Sequence, residues 1–220
     1  KQSPMSHVRA VRDAFAAHAG LLAAMLAAKG VLGFAEPFEG RAGLFQLYAR
    51  GAFDPGRLTQ DLGQVFEGAH VSYKAWPACR GTHAFIQAAL ELSPEAAIDP
   101  QAIRTIRATG GEIQRMLAEP EAQKAHPATA IDAKFSIPFT VATALVRGRV
   151  DLAAFQPDAL RDRAVLRLAD RCRYVCAPIS QDSLVDSTGG RLELELADGR
   201  RLSRRIDQSR GHHSDPVAVD

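Results

Sequence analysis

The stretch "VRAVRDAFAAHAGLLAAMLAAK", from Val8 to Lys29, is the strongest constraint this chain places on its own fold. Val8, Val11, Phe15, Leu22, Met25 and Leu26 recur at helical spacing with small residues between them, and Gly30 follows where a helix is expected to end. Alanine at so many positions lets another helix approach closely, and the surface is too apolar to be left in water. The helix therefore demands a helical partner that the rest of the chain barely supplies. Lys29 and the glycines after it keep the apolar run short of the ~20 residues of a membrane span, so a buried helix is expected and no membrane partner.

Downstream the organisation changes. "FAEPFEGRAGLFQLYARGAFDPG" is rich in Gly and Pro and predicts a connector around a short helix. A boundary at Gly51 to Pro55 divides a helical segment, 1–51, from a second domain, 52–220. In the second domain the pattern predicts a short helix and a strand leading into "YKAWPACRGTHAF", then a helix over "THAFIQAALEL" with Thr82 as its N-cap. "IRTIRATG" alternates as a strand, and "EIQRMLAEP" is a short helix stopped by proline. Phe135 to Val146 are apolar at helical spacing, with Pro138 tolerable only in the first turn, and "RDRAVLRLADRCR" is one more helix. The end is β: "YVCAPIS", then "RLELELADGRRLSRRID", where Asp198-Gly199 between alternating segments signals a hairpin. The fold class is α+β.

A formal charge of +2 on 220 residues gives no reason to expect nucleic acid or an anionic surface as a partner. The basic run "GRRLSRRID" reads as a solvated strand face. Three cysteines do not make a disulfide framework, which favours a reducing, cytoplasmic setting, and no secretory signal is visible.

Chemistry concentrates between Tyr73 and Phe85. A helix start at Gly81 and Thr82 presents free amides and a partial positive charge; with Arg80 and Lys74 beside it, the turn suits a carboxylate. Pro77 restricts the approach, and Gly81 admits close backbone contact. His83 in the first turn is expected to stay neutral near the helix dipole and to accept a proton near pH 7. The plain alternative is an ordinary turn into a helix, with the cysteine packing and the histidine capping. A Cys79/His83 nucleophile pair and a zinc site from Cys79, His83, Cys172 and Cys176 are two further readings.

These residues resemble a known family. "YKAWPACRGTHAFIQAALEL" is similar to the Lys-x-x-Pro-x-Cys-x-x-Thr-His segment of the MmgE/PrpD family, which includes 2-methylcitrate dehydratase, cis-aconitate decarboxylase and iminodisuccinate epimerase. The Ala-rich helix with its Gly-rich sequel, the block "DAKFSIPFTVATALVRGRVDLAAF" and the closing "LADGRRLSRRIDQSRGHHSDP" resemble further family blocks in the family's order. The resemblance implies an all-helical domain followed by a smaller α+β domain. It also implies chemistry without metal or organic cofactor on di- or tricarboxylates: a proton is removed next to a carboxylate, then water or carbon dioxide leaves or the proton returns.

Carried over residue by residue, Lys74 matches the family's site lysine, and Cys79 stands where the decarboxylase branch has a catalytic histidine. Lys74, His83 and Cys79 form the expected catalytic set; Arg80, Gly81, Thr82, Lys134 and Ser136 form the expected substrate-binding set. The family's lysine before the Ala-rich helix is replaced by Arg9 or Arg12, which keeps a cation but loses a titratable amine. A full member is about twice this length and takes acid-base residues from its first half. The chain is therefore expected to be a C-terminal half: a fragment, a split-gene subunit or a degraded paralogue. The expected activity is dehydration of a 2-methylcitrate-like tricarboxylate in propionate catabolism. Epimerisation of a dicarboxylate and a non-catalytic partner-binding role are the alternatives. The expected partners are a second copy of the chain or an N-terminal helical half.

Overall fold

The structure is a computed structural model and describes residues 8–95, 98–176 and 189–217. Its contacts divide the chain into two units, Lys1–Gly68 and Ala69–Asp220. The division falls later than the 51/52 boundary expected from sequence. The reason is local: the turns after Gly51 are tied to their own neighbours, as where the Gln60 amide bonds the Gly56 carbonyl and Val65 the Asp61 carbonyl.

In the first unit, α1 runs unbroken over Val8–Ala28, and Gly30 at φ +85° follows it. Two short helices, α2 at Leu44–Ala49 and α3 at Gly56–Thr59, come after, with the Phe45 ring stacked 4.3 Å from that of Phe53. No apolar side chain among the described residues of this unit is buried. The expectation of a buried helix is thus not met: Phe15 stays 66% exposed and Met25 61%. The window Val11–Ala28 is, by length and composition alone, apolar enough to cross a membrane, with a mean hydropathy of 1.3, which differs from the expectation drawn from the run that Lys29 ends. The same pattern suits a helix lacking its neighbours, because alanine counts as apolar on both accounts.

The second unit is α+β, with its own hydrophobic core. Its sheet has the order β2-β1-β3-β4, built from β1 (Ile103–Gly110), β2 (Cys172–Cys176), β3 (Gly190–Leu196) and β4 (Arg201–Ile206). β2 lies parallel to β1, while β3 runs antiparallel to both β1 and β4. In β3, Leu192, Leu194 and Leu196 point inward and Arg191, Glu193 and Glu195 outward, the period of a sheet with one covered face. The predicted hairpin forms at Asp198-Gly199, with Gly199 at φ +88°. The predicted strand "YVCAPIS" is seen to Cys176; 177–180 lie outside the described residues.

Helix α4 (His83–Glu95) is followed by the short helices α5 (Glu112–Arg115), α6 (Glu121–Ala125) and α7 (Ala130–Lys134); it packs against β3 and β4 and against α8 (Ile137–Arg147), which in turn packs on α9 (Arg163–Ala169). Pro138 sits in the first turn of α8, as its missing amide requires, and Gly148 ends the helix at φ +64°. Phe85 anchors α4 in the core at 0% exposure. Its ring lies where side chains on Gly190 and Gly110 would be, a Cβ on Gly190 falling 2.6 Å from it. That close fit of α4 onto the sheet positions the first residue of α4, His83.

Candidate functional site

The strand expected before the motif does not form. Residues 71–79 run without ladder partners, and the Tyr73 amide makes one bond to the Gly211 carbonyl at 2.7 Å. The Cys79 amide is held by the Lys134 carbonyl at 2.8 Å. A 3-10 turn over Arg80–Thr82 then leads directly into α4, so the N-cap position is Cys79 and not Thr82. Thr82 is fully buried and its hydroxyl donates back to the Cys79 carbonyl at 2.8 Å. It closes the turn instead of accepting from the helix amides. Gly81 packs closely: a Cβ there would sit 2.7 Å from Leu117 Cδ1, so that side chain would have to shift, and the Gly81 carbonyl accepts from the buried Gln114 side chain at 3.0 Å.

Arg80 reaches across to the segment that follows β4, donating from Nη1 to the Arg210 carbonyl at 3.1 Å and from Nη2 to the Ser209 carbonyl at 3.3 Å. The Arg210 amide donates to Gln87 of α4 at 2.8 Å. The motif and the 209–211 turn, more than a hundred residues apart, are therefore one structural unit. Two of the five N–H donors of Arg80 are committed to it, and its charge remains. Lys74 is exposed beside this joint.

The His83 ring is enclosed at 0% exposure, its centroid 5.2 Å from that of the Trp76 ring in an edge-to-face pair. Neither Nδ1 nor Nε2 makes a hydrogen bond of sound geometry. Burial, then the Arg80 charge, lower its pKa from 6.5 to about 4, with Lys74 acting in the same direction; the carbonyls of Ala78 and Trp76 oppose this, since they would accept from a charged ring. The ring is neutral at pH 7, as expected, yet burial rather than the helix terminus is the main cause, and the basicity expected near pH 7 is lost. A neutral imidazole whose nitrogens lack a well-aligned partner is costly to bury. Because its nitrogens have none, the Cys79/His83 nucleophile pair does not form.

The remaining sequence candidates separate. Ser136 is fully buried; its hydroxyl donates to the Lys124 carbonyl and accepts from the Phe139 amide at 3.0 Å, capping α8. This is a packing role. Lys134 gives only its backbone to the Cys79 loop. Its Nζ stands 5.5 Å from the Phe155 ring centroid, in a cleft of about 520 Å³ shared with Thr129, Leu160 and Arg161. Cys172 is buried, its thiol pushed up to about 12, and Cys176 donates to Glu112 Oε2 at 3.2 Å. No group of three or more His, Cys, Asp or Glu among the described residues is placed to hold a metal ion, so the four ligands of the zinc reading do not converge. In the first unit Arg12 pairs with Asp13 at 3.3 Å.

Two polar groups of this region were not singled out from sequence. Ser209 is fully buried with an unpartnered hydroxyl, next to the carbonyl that Arg80 holds. Lys124 is 9% exposed and its ammonium donates to the Phe135 carbonyl at 2.8 Å. A serine in a turn and a lysine in a short helix carry no local mark of burial, so only the packed fold reveals them.

Comparison with known proteins agrees with this architecture. The model of the MmgE/PrpD C-terminal domain matches residues 76–220. The cis-aconitate decarboxylase-like protein oryM of Aspergillus oryzae is 28% identical over 230 residues, an alignment that covers 97% of this chain and 46% of that protein. The chain thus spans about half the length of the curated relative it matches. The family match takes in the Thr-His helix start, the α7-α8 block (α7 being Ala130–Lys134) and the β3-β4 hairpin with its closing turn. The chain belongs to the MmgE/PrpD family.

Proposed function

We propose that this chain is the C-terminal half of a cofactor-independent carbon-oxygen lyase that dehydrates a 2-methylcitrate-like tricarboxylate. The observation that carries the reading is His83, an enclosed neutral imidazole with both nitrogens unpartnered, set beside the cations Arg80 and Lys74. Carboxylates pair with the two cations, which raises the acidity of the neighbouring carbon–hydrogen bond by holding the charge that develops when it breaks. His83 takes the proton on its unprotonated ring nitrogen, or Lys74 takes it at Nζ as a neutral amine, leaving Arg80 to hold the carboxylate; that proton passes to the departing hydroxyl, which leaves as water and completes the double bond. A basicity as low as that of His83 suits a ring whose pKa rises once an anion lies next to it and part of the Arg80 charge is neutralised. Family membership supports the lyase class; the acid itself is chosen here on the likeness of the motif. A cytoplasmic setting and a dimer belong to the same proposal.

Ultraviolet absorbance of a new carbon-carbon double bond conjugated to a carboxylate tests it, with 2-methylcitrate and the chain assembled with an N-terminal half of the family. A sustained rise, lost in His83→Ala or Lys74→Ala, is the expected outcome; unchanged turnover removes that residue from the mechanism. Deuterium entering the substrate with no net product would instead establish the epimerase alternative.

A second reading rests on α1. An apolar helix with no buried side chain among its described residues fits a subunit that docks on a helical partner and does no chemistry alone. Inactivity of the assembled complex, with association that depends on α1, would favour it.

A further inference from the structure

Lys124 is a buried ammonium that the mechanism above does not use. It lies in α6 (Glu121–Ala125), and its one hydrogen bond is to the Phe135 carbonyl; among the described residues no carboxylate comes within ion-pair distance of it. Asp132, the nearest acid to influence it, is engaged with the Thr129 hydroxyl at 2.7 Å and the Thr129 side chain in turn caps α7. The Lys124 ammonium bonds the Phe135 carbonyl, and the Cys79 amide bonds the carbonyl of the residue before it, Lys134, so the ammonium sits at the loop that carries Cys79. Burial lowers the pKa of Lys124, and negative charge on Asp132 or on a Cys79 thiolate counters this. Lys124 is tied to the same segment through its backbone as well, its carbonyl accepting from the Ser136 hydroxyl. Cys79 is only partly buried, so a solute can reach its thiol.

We propose that Lys124 is a third cation of the carboxylate site, a positioning residue whose buried charge draws an anionic group of the substrate to the face of Cys79. The inference rests on the reading that this site takes carboxylates. It adds a cation tied to the Phe135 carbonyl to the one that Arg80 holds at the 209–211 turn, so that a molecule with several carboxylates has more than one positive group to meet. Buried charge is screened weakly by salt and acts over several ångströms, which is what distinguishes Lys124 from the exposed Lys74.

The three cysteines provide the test in the isolated chain. Iodoacetate and iodoacetamide attack the same thiolate and differ in charge, so their rate ratio at one cysteine cancels the thiolate population and reads the local potential. Cys176 stands against the Glu112 carboxylate and is the opposite environment; buried Cys172 reports unfolding, because it is labelled only when the core opens. Labelling at pH 7, read by mass spectrometry of each cysteine peptide, is expected to give an iodoacetate-to-iodoacetamide ratio about tenfold higher at Cys79 than at Cys176. Lys124→Gln, which keeps a donor for the Phe135 carbonyl, is expected to lower the Cys79 ratio several-fold while Cys172 stays protected. If Cys172 becomes labelled, Lys124→Met, which keeps the buried volume, takes its place. A high ratio that neither variant lowers overturns the role of Lys124 and leaves the carboxylate site to Arg80 and Lys74. Equal ratios at Cys79 and Cys176 in the unmodified chain overturn both.

Discussion

Replacing His83 by leucine removes the one group whose protonation the fold most opposes, and the expected effect can be worked out in advance. In the unfolded chain the imidazole titrates at 6.5; in the fold it titrates at about 4. Between these values the unfolded state binds the proton and the folded state does not, so acid favours unfolding. The contribution is fully present above pH 6.5 and is lost as pH falls toward 4, each pH unit costing about 1.4 kcal/mol and the whole window about 3 kcal/mol. His83→Leu abolishes this slope. At pH 7 the variant also escapes the cost of two buried, unpartnered nitrogens, on the order of 1–3 kcal/mol, and loses the edge contact with Trp76. It should therefore be at least as stable as the parent at pH 7 and clearly more stable at pH 4.5. Urea unfolding followed by the single tryptophan, Trp76, measures both, and the difference between the two proteins cancels the acid effects of the carboxylates. Parallel stability curves for parent and variant from pH 7 to 4.5 would refute the reasoning, as would a His83 imidazole titrating near 6.5 by nuclear magnetic resonance.

Three further outcomes follow from the packing. Phe85→Ala should destabilise the second unit by about 3–5 kcal/mol in the same urea assay, because a fully buried ring wedged against Gly190 leaves a cavity that rigid glycine backbone cannot fill. Ser136→Ala should cost about 1–2 kcal/mol, through the loss of the α8 cap and of the tie to the Lys124 carbonyl; an effect on substrate affinity without an effect on stability would restore it to the pocket. Asp162 caps α9 through the amides of Ala164 and Val165 and pairs with Arg147 at 2.8 Å, which holds its carboxyl below the usual range. Its contribution is present above the ordinary aspartate value and lost as pH falls through the lower folded one, so Asp162→Ala should cost about 1 kcal/mol at pH 7 and progressively less in acid.

Much of the second unit was legible in the sequence. β1 occupies the segment that alternates, the β3-β4 hairpin turns at Asp198-Gly199, and α8 begins where Pro138 allows it. Each of these depends on interactions within a few residues: alternation, a residue free to take positive φ, a missing amide. The strand expected before the motif failed for a complementary reason. A strand exists only by pairing, and residues 71–79 meet the 209–211 turn where a partner strand would have been needed. Thr82 was misread likewise, since the 3-10 turn moves the N-cap back to Cys79 and leaves the threonine hydroxyl facing its own turn.

The sequence by itself determined the family and the α+β class, because motif order and hydrophobic period are properties of the chain read along its length. The tertiary structure decided what individual residues can do. Enclosure next to Trp76 takes away the basicity of His83, the 209–211 turn engages Arg80, and packing buries the ammonium of Lys124 against the Phe135 carbonyl. Burial and electrostatic environment are set by elements far apart in sequence, and a residue's letter carries no trace of them until the chain has packed.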